Sequence, residues 1–375
     1  MMYLAIREMR FAKVRYSLIA IIMLLVAFLV LFVTGLARGL AYDNAASIQN
    51  MDATHFIMEK DSNHRFTRSQ ISEQVLVQAG LIAGADNAQP LGVKMTTVTT
   101  EGRTEKLDAT LLGINMEGWL KPAVIEGAAV TSQETGQVLV DRKLKDSGVG
   151  LGTVLIDQAS GLKWRVGGFV GHESFSHSPA IFLNERDWQQ LQLKTAMQPG
   201  AAKPTDPSYN AVAVKANTSQ LEQLAAALPD VEIVAKADAV SAIPGYKEEQ
   251  GSLMMMIIFL FIISSFVLAV FFYVITIQKS SQFGILKAIG TRTGYLVRSV
   301  ALQVLLLSTG SLAVSMLLIQ ATEAILPGGM PFLLQSSTLV WTSGAFIAMS
   351  LAGSLLSVWK VTTIDALDAI GRTAA

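Results

Sequence analysis

Apolar and polar positions follow two different rhythms along this chain. Four stretches, 17–36, 253–277, 300–322 and 338–358, contain no Asp, Glu, Lys or Arg. Each is long enough to cross a hydrocarbon layer, which takes about 20 residues at about 1.5 Å of rise per residue. A water-soluble arrangement would have to bury all four on every side. They are therefore read as membrane helices with limits 17–41, 253–277, 300–326 and 338–359. What remains is a short amphipathic N-terminus (1–16), a basic loop (278–299), an uncharged loop (327–337) and a tail (360–375).

Between the first and second spans, residues 42–252 change to short alternating runs bounded by Gly, Pro and Ser, the texture of a folded domain. Thr54–Met58 reads as a strand and Ser69–Ala79 as a helix after a Ser cap. Pro90–Thr99 and Lys106–Ile114 read as two further strands. Asn210–Lys215, Thr218–Leu228 and Val231–Ala235 then read as strand, helix and strand, with Thr218 or Ser219 as the helix cap. Together they predict a split ferredoxin-like α+β unit. The intervening 118–207 contains runs such as Gln137–Asp141 and Trp164–Val170 and predicts an inserted β-rich subdomain. Its exit loop carries Pro199, Pro204 and Pro207. The expected fold is an α-helical membrane protein with four transmembrane helices and one large extracellular α+β domain.

Composition sharpens this picture. Hydrophobic residues make up 51% and charged residues 15%, against about 25% charged in soluble domains. Residues 42–251 hold 25 acidic and 18 basic side chains although the whole chain is neutral, so the remainder is basic. Arg7, Arg10, Lys13 and Arg15 precede the first span, and Lys279, Lys287, Arg292 and Arg298 lie between the second and third. Short basic flanks stay on the cytoplasmic side, which predicts a multi-pass protein of the cell membrane with both termini cytoplasmic and 42–252 outside. The first apolar run exceeds the 7–15 residues of a signal-peptide core, so it is read as a retained anchor.

The chain has no Cys, which excludes disulfides, thiolate metal sites and Cys nucleophiles. It also lacks a P-loop, a Gly-x-Ser-x-Gly elbow and a His-Glu-x-x-His helix. No catalytic residue is assigned, and the chain cannot hydrolyse ATP through a P-loop of its own. His172 and His177 sit five apart in a probable-turn sequence, a spacing that suits a surface loop better than a helical metal pair.

The loop after the second span reads Phe283-Gly-Ile-Leu-Lys-Ala-Ile-Gly290, with Ile285, Leu286 and Ile289 spaced for one helix face and Gly290 as a break. This run resembles the Gly-Ile-Leu-(Lys/Arg)-Ala-(Leu/Ile)-Gly signature of FtsX/MacB-like ABC transporter permeases. The tail Ile364-Asp-Ala-Leu-Asp-Ala-Ile370 resembles that family's Asp-Pro-(Leu/Ile)-(Glu/Asp)-Ala-(Leu/Ile) ending, with Ala366 in place of Pro. One span, a large external domain and three further spans is also the family plan. The resemblance implies a permease homodimer with two copies of a separate ABC ATPase. It further implies docking on that ATPase through 282–290, with Gly284, Leu286, Lys287 and Gly290 as coupling residues. Residues 2–8, 13–16, 28–37, 47–51 and 58–61 resemble the HrtB-type haem-efflux permeases of Gram-positive bacteria, which implies haem as the exported substrate.

Haem iron takes Tyr, His or Met ligands. Tyr246, Glu248 and Glu249 stand just before the second span, Met254, Met255 and Met256 just inside it, and Tyr42 and Asp43 at the outer end of the first. Tyr42, Tyr246, Glu248, Glu249, Met254 and Met255 are the candidate substrate contacts, and Tyr246 or Glu248 the candidate for touching the iron. No resident metal or cofactor is expected. The same residues also suit simpler roles, since aromatics mark membrane interfaces, carboxylates cap helices and Met fills apolar gaps. Glu323, at the outer end of the third span, either faces a dimer gap or reaches the interface. Export of a peptide antibiotic, drug or lipoprotein, or mechanical signalling to an outside partner, remain open alternatives. Membrane lipid is an expected partner and nucleic acid is not.

Overall fold

The computed structural model describes residues 13–197, 208–326 and 330–363, with backbone only at 356–358 and 360–363. Residues 1–12, most of the proline-rich exit loop and the 364–370 tail motif therefore lie outside the described residues. The chain divides into two compact units, Leu40–Gln250 and a second made of Met1–Gly39 with Gly251–Ala375. It passes from one to the other inside two long helices, α1 (Lys13–Asn50) and α6 (Tyr246–Gln278).

The β-rich unit starts from a four-stranded antiparallel sheet of β1 (His55–Glu59), β3 (Ala88–Thr100), β12 (Ala211–Val214) and β13 (Val231–Ala235). Their spatial order is β13-β1-β12-β3. Helix α2 (Glu73–Ala83) joins the first two, and α4 (Thr218–Ala227) joins the last two. This order and these crossovers make the ferredoxin-like unit expected from the sequence. Both helices cover one face, where Ala79 and Leu224 pack against Ile57, Val212 and Val214. The other face carries Phe56, Met58, Ala213 and Val234.

Two helix starts differ from the reading of the sequence. Helix α2 begins at Glu73, later than Ser69, because the Ser69 hydroxyl accepts from the Glu59 amide (2.9 Å). Ile71–Ser72 forms a short strand, β2, against β11 (Ser208–Tyr209). Helix α4 is capped by Asn217, not by Thr218 or Ser219. Asn217 and Gln220 bond each other's backbone amides at 3.0 Å, a reciprocal capping box.

β3 is long enough to serve two sheets. Beyond its pairing with β12 it continues into a ring formed with β4 (Leu107–Ile114), β10 (Ser178–Leu183), β6 (Gln137–Asp141), β8 (Lys163–Val170) and β7 (Val154–Asp157). The last of these pairs back onto β3 and closes the ring. Strands β4, β6 and β10 carry consecutive buried positions on both faces, whereas β7 and the start of β8 alternate. Leu111, Val138, Val140 and Ile181 belong to one core with Trp164, while Leu112, Leu139 and Phe182 belong to another with Phe56 and Phe175. Two glycines are required here: a Cβ on Gly92 or Gly113 would lie 2.2–2.4 Å from the indole of Trp188, which caps the core from α3 (Glu185–Ala196).

Among the described residues, four helices are long and apolar enough to cross a membrane: α1, α6, α8 (Thr293–Ile325) and α9 (Ser336–Thr363). A short helix, α7 (Ser280–Ala288), links α6 to α8. With lipid as solvent, apolar side chains have little drive to leave it for one another, so helices associate through close packing and hydrogen bonds. The seams here follow that rule. Ser311 and Ser315 of α8 donate to the Ala20 and Leu24 carbonyls of α1, at 3.3 and 3.0 Å. Gly353 of α9 lies against the backbone of Ser265 and Ala269, and Gly35 and Gly39 of α1 admit Pro331 and Phe332. The Leu333 amide donates to the Gly35 carbonyl at 3.0 Å.

Candidate functional site

In the β-rich unit, titratable side chains gather where the last turns of α1 meet the segment 172–177 and the first turn of α6. This segment includes β9 (Ser174–Phe175), and His172, Ser176 and His177 all have left-handed backbone angles. For residues with a Cβ that conformation is uncommon and must be held by neighbours. The holding bonds are visible: the Ser176 amide donates to the Asn44 carbonyl (2.7 Å), Ser47 to the Ser174 carbonyl (2.8 Å), and Ser174 to an Asp43 carboxylate oxygen (2.8 Å).

Around this segment the charges interlock. Asp43 is ion-paired with Lys143, and its second oxygen lies 3.6 Å from Nδ1 of His177. Nε2 of His177 lies 3.0 Å from Oε2 of Glu249, and Asn44, fully buried, donates to the same oxygen at 2.8 Å. Tyr42 donates to Asn50 (2.6 Å), and Asn50 donates to Glu173 (3.1 Å). The Glu173 amide in turn donates to Asp141 at 2.6 Å. Burial drives the Glu173 carboxyl up to about 8, the Asn50 bond opposing and the Asp141 charge adding. Burial likewise raises Asp141 and Tyr42. The result is a buried carboxyl of raised proton affinity, with a Tyr and a His–Glu pair in the same cluster that present oxygen and nitrogen atoms.

The sequence-derived substrate candidates divide among several places. Glu249 and Tyr42 enter this cluster. Tyr246 sits one turn away and receives a hydrogen bond from Gln49 at 3.3 Å, so the first turn of α6 runs along the last turns of α1. Glu248 points elsewhere, into a polar cleft of about 390 Å³ lined by Asn63, Arg65, Asp238, Ser241 and Lys247. Met254, Met255 and Met256 lie in the helical unit, each about half exposed on α6, and Glu323 is exposed on α8. Sequence reasoning missed Asn44 and Glu173 and treated His177 as a loop residue. Left-handed angles at His172 and His177 leave no trace in residue spacing, and Glu173 is 130 positions from Asp43 along the chain.

In the helical unit, α7 turns Phe283, Gly284 and part of Leu286 inward against Leu296 and Val300. Ile285 and Ile289 are exposed, so Leu286 does not share their face as its spacing suggested. Gly290 ends the helix at φ +95°. Its amide reaches the Lys287 carbonyl (2.9 Å) and the Thr291 amide reaches the Leu286 carbonyl (3.0 Å). This is the two-bond Schellman closure, whose left-handed residue is best filled by glycine. Lys287 lies in the last turn, where a cation complements the helix dipole.

Among the described residues, four apolar helices, a short helix and cap between the second and third, and a ferredoxin-like domain joined to a β-ring suit a protein that spans a membrane. The model of the FtsX-like permease C-terminal domain matches residues 254–366. The chain is 30% identical over 370 residues to HrtB of Staphylococcus haemolyticus, a permease named for hemin transport, with 99% of each chain covered. A second protein of that name, from Staphylococcus epidermidis, is 29% identical over 99% of both chains. Among solved structures, the periplasmic region of MacB from Actinobacillus actinomycetemcomitans aligns with 50% of this chain and 90% of its own, at 15% identity and a TM-score of 0.35. This chain belongs to the FtsX-like family of ABC transporter permeases.

Proposed function

We propose that this permease works with a separate ATP-hydrolysing subunit to expel haem from the membrane, and so confers tolerance to it. The observation that carries the reading is the end-to-end likeness to a permease named for hemin transport, which spans the helical and the β-rich units alike. In this reading two permease chains pair with two ATPase subunits. The basic flanks stay cytoplasmic, and the β-rich domain faces outward. The ATPase docks on α7 around Gly284, Leu286, Lys287 and Gly290. An amphiphilic iron porphyrin needs an apolar wall and an oxygen, nitrogen or sulfur donor. Tyr246, Glu249 and Tyr42 are the candidate donors, with Glu248 set apart in its cleft, and Met254 and Met255 are candidate apolar contacts.

Hemin titration of the permease–ATPase complex in nanodiscs, followed at the Soret band, tests the reading. Saturable binding by the wild type that is lost in Tyr246→Phe/Glu249→Gln and kept in Glu248→Gln is the expected result. Absence of saturable binding by the wild type overturns haem as substrate, and unchanged binding by the double variant overturns the site. Gly290→Val, which costs about 1–2 kcal/mol of left-handed strain, is expected to let ATP turn over without export.

A further inference from the structure

Deep in the helical unit, near its basic end, stands a polar group that the apolar pattern does not explain. Lys279 occupies the one-residue break between α6 and α7 and is only 5% exposed. Its ammonium donates to the Tyr16 hydroxyl of α1 at 2.5 Å, and that hydroxyl donates to Oε1 of Gln303 in α8 at 2.7 Å. The same ammonium lies 4.9 Å from the centre of the Tyr16 ring. Around the node are Ile19, Phe272, Ile275, Phe283, Val304 and Leu307, with a void of about 20 Å³, room for roughly one water.

Burying an ammonium among such neighbours is costly unless it is well paired, and an apolar residue of similar length would often serve stability as well or better. The best-attested return on a buried polar network is geometric: it fixes which surfaces meet and in what register. Here the network joins α1 and α8 at one point, and that point is the first residue beyond α6, directly before α7. The backbone adds to the tie, since the Lys279 amide reaches the Ile275 and Thr276 carbonyls at 3.1 and 3.2 Å, and the Phe283 amide of α7 reaches the Lys279 carbonyl at 3.0 Å.

We propose that Lys279, through Tyr16 and Gln303, is a pin that makes α7, α1 and α8 move as one body, so that a push on α7 reaches α1. Lys279 is a positioning residue: it touches neither nucleotide nor substrate. The proposal rests on the reading of α7 as the ATPase-docking helix and deepens it. Without the pin, α7 shifts against α1 and the displacement is absorbed at the void. Tyr16 bonds both Lys279 and Gln303, so removing its hydroxyl and removing the ammonium should weaken the same link.

The test uses the full permease–ATPase complex in nanodiscs. The permease has no cysteine, so Val14→Cys on α1 and Ala288→Cys on α7, both exposed, take spin labels cleanly once the ATPase is stripped of its own cysteines. The distance between the labels is expected to stay constant between nucleotide-free and vanadate-trapped states. In Lys279→Met it is expected to change on trapping, while hemin export per ATP hydrolysed falls about tenfold. Tyr16→Phe should do the same, and the double variant should add nothing further. A constant distance in Lys279→Met, or a variant that merely assembles less well while each assembled complex exports normally, overturns the pin. A wild-type complex that traps vanadate but exports no hemin overturns the transport reading instead, and the two failures are distinguishable because the label distance needs no substrate.

Discussion

The two units of this molecule are held together by different means. In the β-rich unit, large side chains such as Phe56, Phe66, Trp164, Phe169 and Phe182 are fully buried, and strand pairing fixes which of them meet. In the helical unit, α6 leaves Ile258, Phe259, Ile263 and Phe266 about half exposed or more. The buried contacts of that unit include Met23, Leu31, Leu268 and Phe346, with glycine at the closest backbone approaches, at Gly39 and Gly353. Water drives large apolar groups together, whereas lipid solvates them. Volume specifies the interior of both units, and in the second, close approach at glycine and interhelical serine bonds add to it.

This contrast can be broken or sharpened. The largest effect is expected from Trp188→Ala, which empties the space above Gly92 and Gly113. It should cost the β-rich unit about 3–5 kcal/mol, typical of a large aromatic truncated in a core, read by urea unfolding followed by circular dichroism. Next, Gly39→Leu should cost about 1–3 kcal/mol, the usual range for overpacking, because even its Cβ would lie 2.3 Å from the Pro331 carbonyl oxygen. Thermal unfolding in detergent measures it, and a loss larger than that of Trp188→Ala would reverse the ranking of the two units.

Glu173→Gln probes the β-rich unit by pH. Folding raises this carboxyl from its ordinary 4.5 to about 8, so the folded state binds more protons between those values. The stability it contributes is full below about 4.5 and is lost as pH rises through about 8. The variant should therefore gain about 4 °C or more over wild type at pH 9, with the gain vanishing near pH 4.5. No gain at pH 9 would show that the buried carboxyl is already compensated. Ser315→Ala should cost the helical unit about 0.6 kcal/mol, the average for an interhelical hydrogen bond, by thermal unfolding. Lys163→Ala should leave the midpoint unchanged, since both members of the Lys163–Glu101 pair are more than half exposed.

Much of this architecture is legible in residue order. Charge-free runs of about 20 residues declare membrane helices because hydrocarbon excludes charge over a fixed thickness. Strand and helix runs at 54–58, 210–215, 218–228 and 231–235 declare a split ferredoxin-like unit because side-chain periodicity is a local property. The Gly290 cap is readable for the same reason, since a helix end is decided within a few residues. Closure of the β-ring is not readable, because the return of β7 onto β3 depends on pairing between segments far apart in sequence. The start of α2 is hidden too: Ser69 looks like a cap and is claimed by the Glu59 amide.

The candidate sites divide along the same line. Tyr246 and Glu249 stand out in the sequence as polar residues at the edge of a span. That Glu249 meets His177 and Asn44, while its neighbour Glu248 turns to another cleft, follows from helix rotation, which places adjacent residues about 100° apart. Glu173 acquires its raised proton affinity from burial, with the Asp141 charge adding and the Asn50 bond opposing, and folding brings all three about. Residue order determined the four apolar runs and the helix cap, because each depends on local composition and spacing. Only the tertiary structure decided which charges pair and which carboxyl holds its proton, because burial and partner distance exist only once remote segments have met.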